Sequence, residues 1–86
     1  MRTLKQYYRV RAILDADFEP EHDGVMVTVV VERLATRMVF TDGTIKPHLV
    51  WVSVYDVLSE VDDPGDDEEL KGIVEMYYPE AFTEES

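Results

Sequence analysis

The chain has 86 residues, 45% of them apolar and 31% charged, with a formal net charge of −11 and no cysteine. These numbers predict one domain, 1–86, with a thin core, and they exclude disulfides, thiolate metal sites and cysteine nucleophiles. The charge is uneven. Residues 1–47 carry seven basic and seven acidic groups, whereas residues 48–86 carry twelve acids against Lys71 alone. Phosphate binding needs clustered Lys and Arg, so direct contact with nucleic acid is disfavoured, as is an anionic membrane surface. A basic protein partner is favoured. The charged N-terminus lacks the apolar run of a signal peptide, and the longest apolar stretch, Val25 to Val31 broken by Thr28, is far too short to span a bilayer. A small secreted domain usually needs staples, so the expected compartment is a reducing cytoplasm.

In chain order, Tyr8, Val10, Ala12, Leu14 and Ala16 alternate with Tyr7, Arg9, Arg11, Ile13 and Asp15. Period-two alternation predicts a half-buried strand over about 4–16. Pro20 and Asp23-Gly24 then mark a turn. Val25, Val27, Val29 and Val31 line one face of a second strand, 25–34, placed centrally by its β-branched content. A third strand is expected over 37–41. Asp42-Gly43 is a strong hairpin signal, because a type I′ turn needs positive φ at both central residues. A fourth strand follows over 44–52, with Pro47 pointing to an edge, a bulge or a bend.

After Val52 the period changes. Ser53 to Asp56 has the form of a capping box, and Val54, Val57, Leu58 and Val61 fall at i, i+3, i+4, i+7. That spacing predicts a helix over about 54–61. A second helix, 66–78, follows the acid-rich loop, with Asp66 and Glu69 as a capping pair and Leu70, Ile73, Val74 and Tyr77 as its buried stripe. Pro79 ends it, Tyr77, Tyr78 and Phe82 are candidates to dock on the sheet, and 83–86 are expected to fray. The expected fold is α+β: a four-stranded, mainly antiparallel sheet followed by two C-terminal helices.

The chemistry-bearing clusters are weak. Asp15, Asp17, Glu19, Glu21 and Asp23 before Gly24 suggest a calcium loop, but position twelve would be Val30 rather than a bidentate Glu. His22 and His48 have no metal-ligand spacing. No Gly-rich phosphate loop, Gly-x-Ser-x-Gly or His-Glu-x-x-His is present. The expectation is therefore no enzyme, no cofactor and no metal.

Two surfaces remain. The first is the acidic one: Asp56, Glu60, Asp62, Asp63, Asp66, Asp67, Glu68, Glu69 and Glu75. Duplex DNA carries one charge per about 1.7 Å of axis, and carboxylates on helices and loop would imitate that row for a basic nucleic-acid-binding protein. In size and acidity the chain is similar to phage and mobile-element inhibitors as a broad class: DNA-mimic anti-restriction proteins, uracil-glycosylase inhibitors, anti-CRISPR proteins, and the small acidic immunity proteins that cap nucleases. The likeness is one of composition and transfers no residue roles. The leading expectation is a non-enzymatic acidic inhibitor of such a partner. The second surface is a strand face with Tyr7, Arg9, Arg11 and Trp51, residue types that dominate interface hot spots. It would suit a small structural or adaptor subunit, and it leaves a homodimer through a sheet edge open.

Overall fold

The computed structural model describes residues 2–15 and 24–84. In chain order it contains β1 (Arg2–Leu4), β2 (Tyr8–Leu14), β3 (Val25–Thr41), β4 (Thr44–Val61), helix α1 (Asp67–Tyr77), a 3₁₀ turn (Pro79–Ala81) and β5 (Phe82–Glu84). β2, β3 and β4 form an antiparallel sheet with β3 in the middle, and β1 pairs with β5 in a separate two-stranded ribbon.

Valine sets the centre. Val27, Val29 and Val31 of β3 are buried and share their face with Val10 and Ala12 of β2 and Tyr55 and Val57 of β4. Helix α1 covers this face with Leu70 and Val74, and Val61, Ala81 and Phe82 complete the cluster. Tyr78 stacks on Tyr55 at 4.6 Å between ring centroids, and its hydroxyl donates to the Asp56 carbonyl at 2.7 Å. Of the aromatic tail, Tyr78 and Phe82 dock, while Tyr77 at the end of the expected buried stripe is exposed.

The expected four-stranded sheet with two helices is not what forms. Among the described residues the fold is mostly sheet, with one helix and a 3₁₀ turn, and α+β describes it only loosely. The run 4–16 breaks at a turn over Lys5–Tyr8, where the Tyr8 amide donates to the Lys5 carbonyl at 3.1 Å. The stretches 25–34 and 37–41 are one continuous strand. The strand 44–52 runs on to Val61, so 54–61 is strand and not helix. Its helical spacing was genuine but shared: Tyr55, Val57 and Val61 also line one face of a strand. Pairing that face with the valines of β3 buries it at once, which outweighs the weak preference of a short valine-rich helix. A register shift marks the crossover. Val31 faces Tyr55 but Glu32 faces Ser53, leaving Val54 as the extra residue of a bulge.

The second expected helix forms, one residue shorter at each end, as 67–77. The tail expected to fray from 83 is paired through 84: Thr3 faces Thr83 and Leu4 faces Phe82. Residues 85 and 86 lie outside the described residues. So do 16–23, and with them the end of the first expected strand, His22 and the Asp17–Asp23 part of the calcium reading.

β2 stops opposite Arg33, while β3 and β4 continue as a two-stranded arm to the Asp42-Gly43 turn. Asp42 has φ 52° and Gly43 φ 78°, as the type I′ geometry requires. The Thr44 hydroxyl donates to the Thr41 carbonyl at 2.9 Å beside the turn. Pro47 lies on β4, an edge strand, where its missing amide costs no ladder bond. The arm makes the molecule long: 54 × 41 × 17 Å, with a radius of gyration of 15.9 Å, against about 12 Å for a compact chain of this length.

Candidate functional site: the open face of the hairpin arm

Antiparallel pairing fixes which side chains share a face. In the arm the pairs Leu34–Trp51, Thr36–Leu49, Met38–Pro47 and Phe40–Ile45 fall on one side. Seven of these eight residues are apolar, and none is charged. The pairs between them, Ala35–Val50, Arg37–His48 and Val39–Lys46, fall on the other side and carry the arm's basic groups. The apolar side is open: Phe40 is 72% exposed, Leu49 70%, Ile45 64% and Met38 61%. It continues the sheet face that points away from helix α1. A contiguous exposed apolar surface of this kind marks an interaction site, unlike isolated surface hydrophobics.

At the foot of the arm this face changes character. Glu32 is buried, and its Oε1 accepts from Arg9 Nε at 2.8 Å and lies 2.9 Å from Arg11 Nε. The Arg9 guanidinium sits 4.2 Å from the centre of the Trp51 ring, a cation–π arrangement that fixes both groups. Tyr7 stands beside them with φ 69°, a left-handed conformation uncommon for a bulky residue. Its carbonyl accepts from the Leu34 amide at 2.7 Å, which ties the turn before β2 to the first residue pair of the arm. Tyr7, Leu34, Ala35, Thr36 and Leu49 line a shallow recess of about 360 Å³ there.

The structure therefore brings Tyr7, Arg9, Arg11 and Trp51 together on one face, at the root of the arm. Tyr55, by contrast, is half-buried and packs against the core on the opposite face. Sequence reasoning missed Leu34, Met38, Phe40, Ile45 and Leu49. The signal was present: counting outward from Asp42-Gly43 in a two-residue hairpin pairs Phe40 with Ile45, Met38 with Pro47 and Leu34 with Trp51. The expected gap at Ala35-Thr36 hid it.

The acids have local work. Asp66 Oδ1 accepts from the amides of Glu68 and Glu69 at 3.1 and 3.4 Å and caps α1. The two carboxylate oxygens of Glu69 accept from the amides of Asp62 and Asp63 at 2.9 and 3.0 Å. Asp63 Oδ1 accepts from Gly65, and Asp67 pairs with Lys71 at 2.7 Å. Glu60 accepts from the Gly24 amide at 3.1 Å. Asp56, Asp62, Glu68 and Glu75 are exposed. The acids do not lie along two helices as expected. Asp56 and Glu60 are on β4, Asp62 to Asp66 form the turn, and Asp67, Glu68, Glu69 and Glu75 are on α1. Among the described residues no group of three or more His, Asp or Glu side chains is placed to hold a metal ion. Among the described residues no helix is long and apolar enough to cross a membrane.

No family model matches the chain, and no curated protein or solved structure matches it significantly. The labels that composition suggested, phage protein, DNA mimic and anti-CRISPR among them, gain no support from these comparisons and are withdrawn.

Proposed function

We propose that the chain is a small non-enzymatic adaptor or structural subunit that binds protein through the open face of its hairpin arm. One observation carries this: an uncharged face of eight paired residues stands clear of the body with Phe40, Ile45, Leu49 and Met38 largely exposed. A two-stranded ribbon is marginal in water by itself, and an apolar face on it gains most from a partner that covers it. Tyr7, Arg9 and Trp51 at its root supply the residue types that anchor interfaces. The setting assumed is the cytoplasm, since a chain without cysteine needs no oxidising compartment.

Affinity capture at about 0.1 M and about 1 M salt tests it, since salt screens charge pairs and leaves apolar burial intact. Binding should survive high salt and be lost in Leu49→Glu and weakened in Trp51→Ala. Capture that is unchanged by Leu49→Glu would reject the arm.

A second reading is favoured by a different observation, the exposed carboxylates of Asp56 on β4, Asp62 in the turn and Glu68 on α1, in the acid-rich half of the chain. It assigns those carboxylates to a basic nucleic-acid-binding protein, held through complementary charge. Such capture would collapse in high salt and be indifferent to Leu49→Glu.

A further inference from the structure

We infer that the occupant of the arm's apolar face is a second copy of this chain, its arm laid antiparallel across the first, face to face. The inference rests on the reading of the arm given above and names its partner. The eight paired residues carry no charge, and the Arg9 guanidinium over Trp51 is already matched by Glu32, so the face asks for no complementary charge from the other side. An identical face satisfies it under two-fold symmetry, where one patch must complement itself.

The extent fits. Five of the eight side chains are 37–72% exposed, and the face offers on the order of 600 Å² per copy, the lower end of a standard interface at about 600–1,000 Å² per partner.

Charge sets the direction. The acidic turn 62–69 follows Val61, which pairs with Val25 at the end of the sheet farthest from the Asp42-Gly43 tip. Parallel stacking would lay two acidic bodies side by side. Antiparallel overlap of the arms alone sends the acidic bodies to opposite ends, well beyond a Debye length of about 8 Å. A two-fold axis through the middle of the face, between the Thr36–Leu49 and Met38–Pro47 pairs, sets Phe40 and Ile45 of one copy over Leu34 and the Arg9-covered Trp51 of the other. The tip of each copy then reaches the recess lined by Tyr7, Leu34 and Leu49. The basic side of each arm, with Arg37, Lys46 and His48, faces outward.

The purified chain alone tests this. Sedimentation over a concentration series in about 1 M salt should show a monomer–dimer equilibrium. Leu49→Glu should raise its dissociation constant at least about 30-fold, as expected for a central interface residue. Leu49 is exposed and outside the core, so circular dichroism should show the variant folded. Because the chain has no native cysteine, direction is read by cross-linking with a bis-maleimide of about 10 Å, the spacing of stacked sheets. A mixture of Phe40→Cys and Leu34→Cys chains should cross-link, and Phe40→Cys alone should not. Self-cross-linking of Phe40→Cys would overturn the antiparallel arrangement. A monomer at every concentration would overturn the dimer. If salt-resistant capture of another protein still depended on Leu49, the arm would remain the binding surface. If that dependence were absent as well, both would fail.

Discussion

Burial holds the Tyr55 phenol above its ordinary range, and the charge of Glu80 and then the neighbouring Tyr8 push it the same way. Each disfavours the phenolate in the folded protein, so the unfolded chain ionises first as pH rises. The stabilisation from keeping this proton is complete below about pH 10, the unfolded value, and is lost as pH climbs through the raised folded value. Alkaline unfolding followed from pH 9 to 12 should therefore steepen above 10. Tyr55→Phe, which keeps the ring stacked on Tyr78, should flatten that slope; an identical slope would rule out Tyr55 as its source. Glu32 is a different case, a buried carboxylate between two arginines that are 43% and 54% exposed. Removing a buried partner is severe when the remaining charge stays buried, but these guanidiniums reach water. Glu32→Ala should cost about 1–2 kcal/mol. It should also alter Trp51 fluorescence, because Arg9 loses the anchor that holds it over the ring. A cost of about 4 kcal/mol would mean that the arginines cannot turn outward.

Helix α1 shows how an acid-rich sequence becomes a structural device. Asp66 satisfies two amides of the first turn, and Glu69 reaches back to the amides of Asp62 and Asp63 instead of closing a capping box on Asp66. Asp66→Ala should cost about 1 kcal/mol and Asp66→Asn much less, since Asn caps nearly as well. Gly72, exposed in mid-helix, would bring an added Cβ within 4 Å of nothing beyond its chain neighbours and the helix's own backbone. Gly72→Ala should therefore stabilise the protein by about 0.5–1 kcal/mol in denaturant titration. The Asp66 cap lay open in the sequence, as did the Asp42-Gly43 turn and the valine-rich central strand, and the edge was one of the three placements that Pro47 pointed to. Each depends on local chemistry or on a single unambiguous period. The stretch 54–61 was not legible, because valines at 54, 57 and 61 satisfy a helix face while Tyr55, Val57 and Val61 satisfy a strand face. Only the long-range partner in β3 decides between them. The root of the arm was readable as an outward set from the alternation of Tyr7, Arg9 and Arg11. The apolar face was not, because a break read at Ala35-Thr36 severed Leu34 from Met38 and Phe40.

At the scale of the molecule, core and arm are separate. Among the described residues, every buried side chain lies in 27–32 or 61–82, and none lies between Arg33 and Glu60. The arm should therefore be dispensable for folding. Excising Met38–Thr41 and Thr44–Pro47 while keeping Asp42-Gly43 sets Arg37 and His48, already paired, on either side of the same turn. Four pairs are removed, an even number, so every remaining side chain keeps its face. The shortened chain loses Phe40, Ile45, Met38 and Pro47 from the open face and nothing from the core. Its stability should match that of the isolated full-length monomer within about 1 kcal/mol, as for changes away from buried features. The comparison has to follow concentration, because self-association adds to apparent stability by mass action. Full-length protein should melt at a temperature that rises with concentration. The shortened form should melt at one fixed temperature, near the dilute limit of the full-length chain. A shortened form that unfolds several kcal/mol more easily would show that the arm supports the body.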